Sequence, residues 1–178
     1  GGDRRLLLGE LADAVPGRSY STPVRRFLAA LPRDVLCGAD AVSQHVYAER
    51  GDGGDAARRD VVGAIERLLE RRGCGEATPI WITETGAGGP HAGAGRTGGA
   101  AGARADCRAL AALLRRWWAD PRVTAAFQYT FRDDPAFPVG LADAGLTHAW
   151  PALDLLDAWG GDRDPAAPPP ALPASCRA

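Results

Sequence analysis

Glu84 directly ends the apolar run Pro79-Ile80-Trp81-Ile82-Thr83 and is followed by Thr85 and Gly86. A carboxylate held at the mouth of a sheet by a rigid strand suits a nucleophile or a base, since both need fixed geometry. The competing reading is a surface glutamate that opens a loop, where most acidic side chains sit. His45 and Tyr47 close an earlier run, Ala41-Val42-Ser43-Gln44-His45-Val46-Tyr47. Strand alternation points both to one face. There Tyr47 can donate a hydrogen bond to a carboxylate on the next strand, and His45 can contact a hydroxyl of a bound molecule. A packing role is the plainer alternative for each. A third stretch, Phe127-Gln128-Tyr129-Thr130-Phe131-Arg132-Asp133-Asp134, alternates aromatic and hydrogen-bonding groups. That mixture suits a sugar, whose C–H faces stack on rings while its hydroxyls seek polar partners, and it marks Gln128 and Tyr129 as candidate substrate contacts. An Arg132–Asp133 salt bridge is the structural alternative.

These residues stand where apolar runs stop. The runs are Arg5 to Gly9 (ending at Glu10), Ala41 to Tyr47, Pro79 to Thr83 and Val123 to Phe131. Between them lie amphipathic stretches. Thr22-Pro23 opens one through Val24, Phe27, Leu28 and Leu31, with Pro where a missing N–H costs nothing. Val61, Val62, Ile65, Leu68 and Leu69 form one face of the next, with Arg and Glu opposite. A Gly-rich loop is expected from Gly86 to Gly102, a helix from Ala105 to Trp118, and a last helix from Trp150 to Trp159. Four strand–helix units in series predict a parallel sheet, doubly wound or barrel. Both architectures place their chemistry at the C-terminal ends of strands. Residues 1–163 are read as this α/β domain. Residues 164–178, with Pro168-Pro169-Pro170, are read as a tail unable to hold regular structure.

Composition narrows the function. Basic and acidic side chains nearly balance, 21 against 22, so a nucleic-acid partner is not expected. No apolar run reaches bilayer length, so no membrane span is expected. Gly, Ala, Pro and Arg dominate, while Lys, Asn and Met are absent, which lowers the weight of any Gly or Arg pattern. The start Gly1-Gly2-Asp3 lacks an initiator and a signal segment, so a processed product or fragment is expected. Cys37, Cys74, Cys107 and Cys176 stand singly. They are expected to be buried thiols or to form one disulfide. Their spacing does not suggest a metal site, and they leave the compartment open, a secreted one included.

The order of strand ends resembles strands five to eight of the cellulase-like glycoside hydrolases, the large clan of retaining (β/α)8 enzymes. The matching pieces are Leu8-Gly9-Glu10-Leu11-Ala12, Ser43 to Tyr47, Trp81-Ile82-Thr83-Glu84-Thr85-Gly86, and Gln128 to Asp134. The likeness covers roughly residues 5 to 160, and its most specific piece is the Glu84 strand. His45-Val46-Tyr47 matches the clan's strand-six pattern, while Gly140-Leu141 and Ala149-Trp150-Pro151 resemble its last loop and helix. The resemblance implies an incomplete TIM-type barrel, hydrolysis of O-glycosyl bonds, Glu84 as nucleophile, a carbohydrate substrate and no cofactor or metal. Tyr129 stands where the clan usually has Trp. The clan's acid/base lies in an Asn-Glu pair on strand four, and this chain has no Asn. One strand separates Glu10 from Glu84, whereas two separate strands four and seven, so Glu10 fits strand five as a supporting carboxylate. The acid/base is then expected upstream of residue 1, with the missing half of the barrel as a partner.

Two other functions compete. Gly93-Ala94-Gly95-Arg96-Thr97-Gly98 satisfies the dinucleotide pattern G-x-G-x-x-G, yet no strand leads into it and 23 glycines make a chance match easy. A phosphate-binding Walker loop needs a Lys. The stronger alternative is a truncated barrel that only binds carbohydrate, which an intact Asn-Glu motif upstream would exclude.

Overall fold

A computed structural model of the chain describes residues 5–12, 22–48, 60–75, 78–88, 96, 98–134, 137–161, 164 and 166–177. The apolar runs form strands and the amphipathic stretches form helices, in the order β1 (Leu7–Ala12), α1 (Val24–Ala30), α2 (Arg33–Cys37), β2 (Ala41–His45), α3 (Val61–Arg71), β3 (Ile80–Thr85), α4 (Gly99–Trp118), β4 (Val123–Gln128) and α5 (Pro151–Trp159). A 3-10 turn follows at Ala174–Cys176. The strands make one sheet in the order β1-β2-β3-β4. β1 and β3 both pair parallel to β2. β4 runs the same way, since Ile80 N–H bonds Arg122 O at one end and Tyr129 N–H bonds Thr85 O at the other.

The chain divides into two compact units: Gly1–Val46 with Gly53–Glu84 and Arg122–Phe127, and Tyr47–Asp52 with Thr85–Pro121 and Gln128–Ala178. In the first, alternation along β3 buries Ile80 and Ile82 completely, while Trp81 and Thr83 stay partly open. Leu28 of α1, Leu36 of α2 and Ile65 and Leu69 of α3 are equally inaccessible. Each such side chain contributes about 1.5–3 kcal/mol of hydrophobic stabilisation. The Asp60 carboxylate caps α3 by accepting the Gly63 N–H at 3.0 Å. Cys37 is joined to Cys74.

In the second unit α4 packs against α5 and the terminal turn around Leu110, Ala111, Leu141 and Leu155. Cys107 of α4 is joined to Cys176. The four cysteines therefore make two disulfides, more than the single bond expected, because tertiary packing brings together residues 37 and 69 positions apart.

Three further expectations are corrected. α4 begins at Gly99, six residues early, because burial of Gly102 and Ala103 outweighs the poor helix propensity of glycine. β4 ends at Gln128, after which the chain turns and Phe131 is 63% exposed. The tail does hold regular structure at its end. The disulfide anchors Cys176, Arg108 donates to Cys176 O at 3.1 Å, and the Trp118 indole N–H donates to Ala167 O at 2.9 Å.

Non-reduced peptide mapping should return both disulfide pairs. Cys176→Ser opens a loop spanning 69 positions, and should lower unfolding stability by up to about 4 kcal/mol in a denaturant titration.

Candidate active site

In the first unit the C-terminal ends of β1, β2 and β3 bring three ionisable side chains into contact. The parallel register places His45 opposite Glu84 and Ala12 opposite His45. A shift between Gly9 and Leu11 leaves Glu10 as an extra residue, a bulge inside β1. Glu10 has φ +71° and Gly9 has φ +127°, both in the left-handed half of backbone space. For a glutamate this conformation costs on the order of 1 kcal/mol or more. The bulge turns Glu10 towards β2. Its Oε1 accepts the Ser43 hydroxyl at 2.9 Å, and its Oε2 lies 2.8 Å from His45 Nε2. The other ring nitrogen, Nδ1, lies 3.2 Å from Glu84 Oε2. Ser43 Oγ is also 2.7 Å from Thr83 Oγ1.

The His45 side chain is 17% exposed, Glu84 30% and Glu10 59%, so the cluster opens to solvent from the Glu10 side. The hydrogen bond from His45 holds the Glu10 carboxyl below the usual carboxylate range. Desolvation opposes this, while hydrogen bonds from Ser43 and Thr83 reinforce it. Glu10 is thus kept ionised and is a poor proton donor near neutrality. What the cluster offers chemically is an oriented carboxylate, Glu84, with an imidazole behind it and a second carboxylate behind the imidazole.

The other candidates belong to the second unit. Tyr47 packs edge-on against Phe137, 4.9 Å between centroids, and Tyr129 lies 6.2 Å from the same ring. Tyr129 is 42% exposed and, with Thr130, Arg132, Asp133, Asp134 and Ala144, lines a surface depression of about 510 Å³. Gln128 donates through its amide nitrogen to Tyr129 O at 2.9 Å and Val139 O at 2.8 Å, which ties it to the backbone of the following loop. Gly86 must be glycine: a Cβ there would lie 2.7 Å from Tyr129 O and 3.0 Å from the Gln128 amide nitrogen.

The alternative Arg132–Asp133 pair is replaced by another. Asp133 is bridged to Arg96, whose Nη2 reaches Asp133 Oδ1 at 3.1 Å and whose Nη1 reaches Asp106 Oδ2 at 2.7 Å. Arg96 also donates to Ala87 O and Gly140 O and lies over the Trp150 ring at 4.9 Å. The Trp150 indole N–H and the Gly140 N–H complete the shell of Asp133. Sequence reading missed Arg96 because it sits in a Gly-rich segment. The remaining residues of the Gly93–Gly98 pattern, apart from Gly98, lie outside the described residues. Ser43 and Thr83 were missed as well, although polar residues inside apolar strands are a legible signal.

Two outcomes follow. Arg96→Leu leaves two buried carboxylates without their cation and should cost about 3–5 kcal/mol in chemical denaturation. Glu10, with its folded value depressed, stabilises the fold above its ordinary value of 4.5 and loses that contribution as pH falls through the folded value. The gap in melting temperature between wild type and Glu10→Gln should therefore be present at pH 6 and close in strong acid.

The sequence matches no protein-family model, and no curated protein is significantly similar to it. Among the described residues no three His, Cys, Asp or Glu side chains are grouped to hold a metal ion, and no helix is long and apolar enough to cross a membrane. Two structures of a GH2 beta-galacturonidase from Eisenbergiella tayi, bound to glycerol and to galacturonate, are similar to the chain with TM-score 0.51 and 17% identity. Each match covers 68% of this chain and 24% of that one, so the chain spans about a quarter of that protein's length. A GH128 (subgroup II) endo-beta-1,3-glucanase from Sorangium cellulosum is 19% identical over 61% of this chain and 38% of its own, with TM-score 0.39. The chain has a glycosidase-like α/β fold.

Proposed function

We propose that this chain is the nucleophile-bearing part of a retaining glycoside hydrolase with a TIM-type barrel, and that Glu84 is the nucleophile. The observation that carries the reading is the contact of Glu84 with His45 at the strand ends of a glycosidase-like fold. A carboxylate nucleophile needs fixed geometry, and a hydrogen-bonding partner on the neighbouring strand supplies it. The resemblance of Trp81 to Gly86 to the clan's nucleophile strand supports it. The exposed Tyr129 ring beside a polar depression suits a sugar face, and Tyr47 and Phe137 back an aromatic surface of the same kind. Two disulfides fit an oxidising, secreted setting.

In a retaining cycle the Glu84 carboxylate attacks the anomeric carbon while a second carboxyl group, about 5 Å away, protonates the departing oxygen. Glu10 does not suit that second role. It is held ionised, and the His45 ring stands between it and Glu84. The resemblance to the cellulase-like clan puts the acid on strand four of its barrel, ahead of the four strands matched here.

The test separates the nucleophile from the acid. A panel of 2-deoxy-2-fluoro glycosides with activated leaving groups needs no acid for the first step. One sugar of the panel should add its mass to the peptide containing Glu84, and Glu84→Gln should abolish the labelling. Unactivated oligosaccharides should not be turned over by this chain, since general acid assistance is typically worth about 10²–10⁴-fold. Labelling of another carboxylate overturns the assignment. Saturable sugar binding without labelling supports the carbohydrate-binding alternative.

A further inference from the structure

We infer that Glu10 is a positioning residue that acts on Glu84 through His45, by fixing where the imidazole carries its protons. The inference rests on the reading of Glu84 as a nucleophile, and half of its test does not.

The hydrogen-bond bookkeeping runs outward from Ser43. Its single hydroxyl proton goes to Glu10 Oε1 at 2.9 Å, and its oxygen accepts the Glu10 N–H at 3.2 Å. Thr83, 2.7 Å away, must then be the donor of that pair. Thr83, Ser43 and Glu10 thus form a one-way chain ending on a carboxylate that only accepts. Its remaining contact, His45 Nε2 at 2.8 Å, therefore carries a hydrogen.

A neutral imidazole has one N–H. With that proton committed to Glu10, Nδ1 of a neutral ring turns a lone pair towards Glu84 Oε2 at 3.2 Å. Two facing lone pairs repel, so the contact is attractive only when a second proton lies between them. Among the described titratable groups, Glu10 from β1 and Glu84 from β3 face the ring. With both carboxylates ionised, that second proton makes the ring an imidazolium, which leaves Glu84 anionic and aimed. Loss of the proton turns the His45–Glu84 contact from attractive to repulsive.

The bulge shows that this is a built arrangement. A regular β1 would direct residue 10 along the pleat, whereas the left-handed Gly9-Glu10 pair lets the carboxylate reach two β2 side chains. At Gly9 a Cβ would lie 2.8 Å from Ser43 O and 2.7 Å from Leu11, so this close approach needs glycine.

The experiment has two arms, both on the whole chain. In the first, ¹⁵N-histidine spectra near neutral pH should show the His45 Nε2–H as a slowly exchanging proton in wild type, and Glu10→Gln should restore rapid exchange. In the second, labelling of Glu84 by a fluoro-sugar is followed against pH. That step forms a bond from a Glu84 oxygen to the anomeric carbon, and the leaving group departs with its electron pair. Because it needs no external acid, its basic limb reports the His45 proton. Glu10→Gln should move that limb to lower pH and slow labelling at pH 8 by about tenfold, the effect of moving the limb by about one pH unit, while Glu10→Asp restores part of the loss. Unchanged exchange or an unchanged pH profile in Glu10→Gln overturns the inference and leaves Glu84 as nucleophile untouched. Absence of labelling in wild type overturns the nucleophile reading, and the exchange arm still decides the proton arrangement.

Discussion

Parallel pairing of neighbouring strands is the constraint on which the candidate site depends. When β1, β2 and β3 run the same way, their C-terminal residues must collect at one edge, and whatever polar groups end each strand become neighbours. Register then decides which of them touch. His45 falls opposite Glu84 only because the β2–β3 pairing shifts by one residue after Gln44. Without that shift strand alternation would reverse the side on which Glu84 emerges. A single slip in register thus separates a charged cluster from three unrelated surface residues.

The bulge at Glu10 belongs to the same logic. It spends backbone strain, in a residue with φ +71°, to point a carboxylate across the sheet. The return is a hydrogen-bonded chain through Thr83, Ser43, Glu10 and His45 that leaves none of these polar groups unmatched beside the buried face. A partly exposed site gains little from any one of these bonds, since solvent competes with them. Their combined effect is directional, holding one imidazole in one orientation.

The second unit is built on burial. Arg96 neutralises Asp106 and Asp133 where water does not reach, and every donor it has found use for ends on a backbone carbonyl or a carboxylate. Such a network joins Arg96 to Asp106 of α4, to Asp133 and, through Asp133, to Gly140 and Trp150. The Cys107–Cys176 bond adds the C-terminal turn to the same helix. Each unit therefore carries one covalent tie of its own, and neither relies on apolar packing alone.

The sequence by itself determined the elements. Alternating and helical apolar periods located all four strands and the main helices, because burial of one face leaves a pattern that needs no partner to be read. The five-residue α2 was not visible, being shorter than a helical period can reveal. Sequence also placed Glu84 and His45 at strand ends, where parallel sheets put their chemistry, whereas Glu10, read as the end of the first run, lies inside β1, which continues to Ala12. It could not supply the contacts among them, since a bulge and a register shift are set by pairing between strands and not by residues within one. It offered Asp133 its sequence neighbour Arg132 as one possible partner, whereas folding gave it Arg96, 37 residues away. Likewise it left the cysteines at buried thiols or a single bond, because disulfide partners are chosen by distance in space. Local periodicity is written along the chain, while long-range pairing of charges, thiols and strands exists only once the packed elements bring them together.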